Sequence, residues 1–225
     1  YHWRQERAHA PYLVSMVVGR FAVVNVGGPE SARPGLWMPV YGLLGLEDLL
    51  RERFAATAGL VALFEDRFAS PFPWDKFANA IVRDFRFGAM ENTSAVTWGA
   101  SALRGRRGGA ARVDRINAHE LVHQWFGDLI TCASWEHLWL NEGWATYGQA
   151  LMAEAREGTE GYLASIRRST ARERARSRTG APAATALASN VYAFPAQRFM
   201  SSNNVYSKGA VVLHMLRERL GDEVF

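Results

Sequence analysis

His119-Glu120-Leu121-Val122-His123, followed after eighteen residues by Glu142 within Trp139-Leu140-Asn141-Glu142-Gly143-Trp144, is the stretch on which the fold turns. Side chains four apart on a helix share one face, one turn above the other. His119 and His123 can therefore offer two imidazole nitrogens to one ion. Glu120 sits at the edge of that face, within reach of a metal-bound water but poorly placed as a ligand. This is the spacing of a zinc helix whose middle glutamate acts as general base. Zinc needs a third protein ligand and one open position. Glu142 is the candidate, because it opens a second helical run able to pack on the first. The competing reading is bland: a histidine on an apolar helix face is most often a packed core residue, and short patterns arise by accident. The carboxylate at a workable distance favours the ion.

Working outward, 225 residues at 48% hydrophobic suit one large domain with an ample core. No run of eighteen apolar residues occurs, so no transmembrane segment is expected. Tyr1 opens no signal-peptide pattern, and Gly221-Asp222-Glu223-Val224-Phe225 closes the chain directly after a helical run. A piece of a longer protein is expected. Cys132 is the sole cysteine, so no disulfide can form within the chain, which fits a reducing, cytoplasmic compartment. The net charge of +4 comes with arginine in excess over lysine. Arg167, Arg168, Arg172, Arg174 and Arg176 alternate with acids and read as a solvated helix face, with no nucleic-acid partner expected. The basic, glycine-rich run over residues 104–109 lacks a strand-to-helix phosphate loop around it and reads as a solvated turn.

Residues 1–103 read as a β-rich lobe with one helix, and residues 104–225 as a helical lobe carrying the metal. Short apolar runs over 12–19 and 21–26, separated and closed by glycines, predict two strands of a meander. Residues 36–41 predict a third, with Pro39 favouring an edge position. Apolar residues from Leu46 to Phe68 follow a helical period that Gly59 interrupts or loosens. Residues 80–87 and 94–98 predict strands on either side of Gly88-Ala89-Met90-Glu91-Asn92. The metal helix, capped by Asp114 or Asn117, is expected to run to Leu129. A further helix starts near Leu140 or Asn141 and breaks at Gly158 or Gly161. A long loop fills 179–202. A last helix follows Lys208-Gly209, with Val212, Leu213, Leu216 and Leu220 on its apolar face. The fold class is α+β.

Three patterns together resemble one family. They are the two-histidine helix with its distant glutamate and the flanking Gln124-Trp125-Phe126-Gly127; Gly88-Ala89-Met90-Glu91-Asn92; and Tyr206-Ser207-Lys208-Gly209. Pro73-Trp74-Asp75-Lys76 and His2-Trp3-Arg4 add to the likeness. The chain is similar to the gluzincin aminopeptidases of peptidase family M1, which include aminopeptidase N and the leukotriene hydrolase. The likeness covers nearly the whole chain. It implies a thermolysin-like zinc metallopeptidase catalytic domain, a β-sheet lobe followed by a mostly helical lobe with zinc between them. It also implies a β-domain before this region and a helical domain after it. With those companions gone, self-association through an exposed interdomain surface is expected.

The resemblance assigns the roles. His119, His123 and Glu142 hold one Zn2+, and the net charge of +1 lowers the pKa of bound water towards about 7. Glu120 takes the water's proton and passes a proton to the leaving amine. Tyr206, with zinc, stabilises the oxyanion, a donor of the kind worth about 3 kcal/mol. Glu91 anchors the substrate's α-ammonium, and the Gly88-Ala89-Met90-Glu91-Asn92 motif holds the peptide, whose backbone can add as a strand. Taken alone, Tyr206 reads equally as a core residue and Glu91 as a solvated turn residue. The Asn92-Thr93-Ser94 sequon is read as accidental, since it lies on the substrate motif. Asp128 is either an acceptor for a histidine N–H or a solvated helix residue. The function implied is release of residues from peptides with a free amino terminus. The alternatives are an endopeptidase or epoxide hydrolase on the same scaffold, and an inactive zinc-binding fragment or interaction module.

Overall fold

The computed structural model describes residues 2, 4–103, 109–177, 186–190 and 204–225. The basic turn over 104–108 and most of the loop expected over 179–202 lie outside the described residues. The chain divides into two compact units, Tyr1–Leu129 and Ile130–Phe225. The histidine helix falls in the first unit, together with the sheet.

The first unit holds β1 (Ala22–Asn25), β2 (Pro39–Gly42), α1 (Glu47–Phe54), α2 (Thr57–Arg67), β3 (Ala78–Val82), β4 (Ala89–Met90), β5 (Ala95–Gly99) and α3 (Gly109–His123). The strands form one mixed sheet in the order β1-β2-β3-β5-β4. β2, β3 and β5 are parallel, while β1 and β4 run antiparallel at the two ends. Parallel neighbours require a crossover, and α1 with α2 supplies the one from β2 to β3. The central strands are buried nearly throughout, as expected of a sheet covered on both faces. Leu50, Phe54, Val61 and Phe64 from the helices are buried, as are Val40, Ile81, Val96 and Trp98 from the strands and Val113, Leu121 and Val122 from α3. Phe54 meets Trp98 edge-on at 5.1 Å, and the Trp98 indole N–H donates to Asn79 Oδ1 at 2.8 Å. Asn117 donates to Thr57 Oγ1 at 2.8 Å, tying α3 to the start of α2.

Several expectations are corrected here. Residues 12–19 form no strand; a short 3-10 turn at Pro11–Leu13 buries Leu13, while Val14, Met16 and Val18 are 65, 87 and 85% exposed. β-Branched composition alone does not supply a neighbouring strand to pair with. β2 is interior, not an edge: Pro39 is its first residue, and the ladder to β3 begins one residue later at Val40. Pairing on the β3 side also includes a parallel bridge from Trp37 to Lys76, so the proline sits in a gap between two paired stretches. The lobe has two helices before β3, divided at Ala55–Ala56, while Gly59 lies inside α2. β3 begins and ends earlier than expected. α3 starts at Gly109, which places Asp114 and Asn117 in its interior, and stops at His123 rather than Leu129.

The second unit is helical. α4 (Trp139–Ser177) breaks at Gly158, which adopts φ 68° and ψ −163°, a backbone open to glycine. A π-helical turn, Asn204–Lys208, leads into α5 (Gly209–Leu220). Leu213 of α5 is buried, whereas Leu216 and Leu220 are 43 and 42% exposed. Tyr147 and Tyr162 of α4 share a hydroxyl contact at 3.1 Å, and the Tyr162 hydroxyl meets His214 Nδ1 at 2.8 Å. Arg217 of α5 pairs with Glu154 of α4 at 3.1 Å. Among the described residues no helix is long and apolar enough to cross a membrane. A mixed sheet with helices bears out the α+β class.

Candidate active site

α3 ends in the residues that matter. The helix tightens as it stops, with Gln124 N–H bonding Leu121 O and Trp125 N–H bonding Val122 O, both at 3.1 Å. Gly127, at φ 138°, then turns the chain in a conformation that favours glycine. The reversal brings the Phe126 carbonyl to 3.1 Å from His123 Nδ1. A carbonyl only accepts, so Nδ1 donates to it, and Nε2 is the atom that can offer a lone pair to a cation when the ring is neutral. That nitrogen faces His119 Nε2 at 3.3 Å, with the two rings at 85°.

This geometry fits a zinc ion. Two nitrogens each about 2.05 Å from a tetrahedral zinc stand about 3.3 Å apart. Two imidazole nitrogens at that separation are compatible only through a shared proton or a shared cation. His123 is fully buried and His119 partly so.

Two carboxylates crowd the same place. The ligand atoms of Glu91, Glu120 and His123 all lie within 4.8 Å of one another, and all three residues are buried. Buried carboxylates that close repel unless positive charge is supplied. Asp128 is buried as well. Burial, then the Glu91 carboxylate, pushes its carboxyl well above the usual carboxylate range, against the opposing pull of His123 and Thr93. The His123 ring Nδ1 meets the Phe126 carbonyl, so Asp128 does not serve that histidine, and its burial means that it is not a solvated helix residue.

Glu91 follows β4, the strand that ends the sheet. Ala89 pairs with Trp98 and Met90 with Thr97, and Gly88 O accepts from Gly99 N–H at 3.1 Å. The Asn92 side chain is turned inward. Its Nδ2 donates to Leu13 O at 3.1 Å and its Oδ1 accepts from Thr97 Oγ1 at 2.7 Å. An amide so buried leaves no room for a sugar. Ser94 sits at φ 61° and is held by Lys76 Nζ, which donates to its Oγ at 2.8 Å. Burial lowers the Lys76 pKa, and Asp75 partly opposes the shift. Gln124, which no spacing rule singles out, reaches both ends of this loop: its Oε1 accepts from Ser94 N–H at 2.8 Å and its Nε2 donates to Glu91 O at 3.2 Å.

Glu142 and Tyr206 belong to the second unit. Glu142 is buried in the first turn of α4, and Tyr206 lies partly buried in the π-helical turn before α5. The elements carrying them cross where Gly143 meets Gly209. A Cβ added at Gly209 would stand 2.7 Å from Gly143 Cα. Only paired glycines allow so close an approach.

A model of the peptidase family M1 domain matches residues 53–225. The chain belongs to peptidase family M1. The residues that carried the resemblance in the sequence thus point to the right family. This M1 chain is 38% identical to Aminopeptidase M1 of Arabidopsis thaliana over 149 residues, 64% of this chain and 16% of that one. It is 33% identical to Aminopeptidase N of Canis lupus familiaris over 230 residues, 95% of this chain and 22% of that one. It is 31% identical to Endoplasmic reticulum aminopeptidase 1 of Homo sapiens over 222 residues, 95% of this chain and 23% of that one. The M1 chain therefore spans between a sixth and a quarter of the length of these relatives.

Proposed function

We propose that this chain is the catalytic part of a zinc aminopeptidase that releases residues from the amino termini of peptides. The observation that carries the reading is the placement of the Glu91 carboxylate, within 4.8 Å of the ligand atoms of Glu120 and His123. A carboxylate beside a paired-imidazole site is suited to an ammonium group, and only a peptide's first residue offers one there. The names of the relatives, all aminopeptidases, support the same reading.

His119, His123 and Glu142 would hold the zinc ion, and the two units would be the β-sheet and helical lobes of a thermolysin-like domain. Zinc, when bound, supplies a Lewis acid that polarises the scissile carbonyl and makes water a stronger nucleophile. Glu120 accepts the proton of the attacking water and returns one to the departing amine nitrogen. The Tyr206 phenol donates a hydrogen bond to the oxygen that gains charge in the transition state. Glu91 binds the α-ammonium, and the main chain of Gly88, Ala89 and Met90 lines the extended peptide. Asn92, both of whose side-chain atoms are engaged within the protein, contributes by holding that loop in place.

The test compares a free-amine peptide with its acetylated twin on the zinc-loaded protein, with products read by mass spectrometry. Sequential loss of amino-terminal residues from the free peptide alone is expected. Equal rates on the two peptides, or internal cuts, would overturn the proposal.

A further inference from the structure

We propose that Gln124 is the positioning residue that sets the preference for a free amino terminus, by locking the Glu91 carboxylate at a fixed offset from the paired imidazoles. This rests on the reading of Glu91 as the ammonium site. Gln124 is completely buried and follows His123 directly. Its amide is used in full. Oε1 accepts from Ser94 N–H at 2.8 Å, and Nε2 donates to Glu91 O at 3.2 Å while lying 3.5 Å from Glu120 O. The main-chain carbonyl of Gln124 in turn accepts from the Trp74 indole at 3.2 Å. One side chain therefore touches the main chain of the ammonium-binding residue, of the proton-accepting residue and of the loop's far end.

The loop needs such a brace. It closes tightly, with Ala95 N–H donating to Asn92 O at 2.9 Å, and it holds Ser94 at φ 61°. A serine there is strained and stays only when its surroundings over-determine it. A primary amide offers an acceptor and donors a fixed distance apart, a combination that neither a carboxylate nor an alkyl group reproduces. Covalent geometry fixes the spacing between a substrate's amine and its first carbonyl. A loop that drifts therefore loses the amine before it loses the carbonyl, and discrimination suffers more than metal binding.

The experiment measures, by calorimetry on the zinc-loaded protein, the affinities of an amino-acyl hydroxamate and of its desamino counterpart. Both probes bind through the metal and only one carries the amine, so the ratio of affinities reports the amine site alone. A purely structural role for Gln124 would weaken both probes alike and leave the ratio unmoved. Gln124→Leu is expected to lower the ratio by about tenfold or more. Gln124→Glu keeps the acceptor for Ser94 and loses the donor to Glu91, so it should fall between Gln124→Leu and the parent; should Gln124→Leu not fold, it decides alone. Glu91→Gln, run beside them, should abolish the preference. Parental ratios in the Gln124 variants with a collapsed ratio in Glu91→Gln would overturn the brace and leave the ammonium site standing. A parental ratio in Glu91→Gln would overturn both.

Discussion

The crossing of Gly143 over Gly209 invites a graded perturbation. A Cβ at position 209 would lie 2.7 Å from Gly143 Cα, and one at position 143 would lie 3.0 Å from Gly209 Cα, whereas ordinary contact begins at 3.4 Å. Both obstacles are backbone, so the helices must part, by about 0.7 Å for Gly209→Ala and about 0.4 Å for Gly143→Ala. Overpacking of this kind costs about 1–3 kcal/mol. In a chain of this size each kcal/mol lowers Tm by about 2–4 °C. Because the turn with Tyr206 runs straight into Gly209, the displacement passes to the phenol. Misplacement on this scale lowers kcat by about tenfold or more. Gly59→Ala is the matched control: it lies within α2, nothing stands within 4 Å of its added Cβ, and helix propensity favours it by up to about 1 kcal/mol. Thermal unfolding followed by circular dichroism and steady-state turnover of an amino-acyl arylamide should rank the proteins Gly59→Ala, then Gly143→Ala, then Gly209→Ala, from best to worst. Gly209→Ala with parental Tm and parental kcat would refute the reasoning.

Glu120→Gln should bind zinc at the parental level yet turn over about 10²–10⁴-fold more slowly; a metal-loaded variant at the parental rate would remove the general base. Tyr206→Phe should lose about 10²–10³-fold in kcat with little change in KM, and an effect on KM alone would place the phenol in ground-state binding. Asp128 gives a pH signature. Its folded pKa is raised, by burial and then by Glu91, so between the unfolded and folded pKa values the folded chain holds this proton more than the unfolded one does. Stability is therefore lost as pH rises through that window. The metal-free Asp128→Asn protein should melt above the parent at neutral pH, with the gap closing towards about pH 4. A gap that widens on acidification would contradict the assignment.

The helix of His119 and His123 was legible because period and chemistry coincide there: two imidazoles one turn apart have few other uses. The family followed from motifs that a sequence displays directly. The helix's limits were not legible. It stops at His123 because Gly127 turns the chain so that the Phe126 carbonyl can lock the ring, and this tertiary demand leaves no periodic trace. The interior place of β2 was missed because Pro39 looks like an edge marker, yet the strand pairs with β1 on one side and β3 on the other. Residues 12–19 have strand composition, but pairing partners are not encoded locally. Gln124 shows the same limit. Its importance lies in contacts with residues about thirty positions away, which no spacing rule reaches.

The central claim, a single zinc held by His119, His123 and Glu142, is tested most directly by counting metal per chain and reading its donors at the zinc absorption edge. The account predicts one four-coordinate zinc with two imidazole ligands and a carboxylate, lost in His119→Ala and His123→Ala and weakened at least tenfold in Glu142→Ala. Zinc bound equally well by all three variants, or no zinc in the parent under metal-replete conditions, would contradict it.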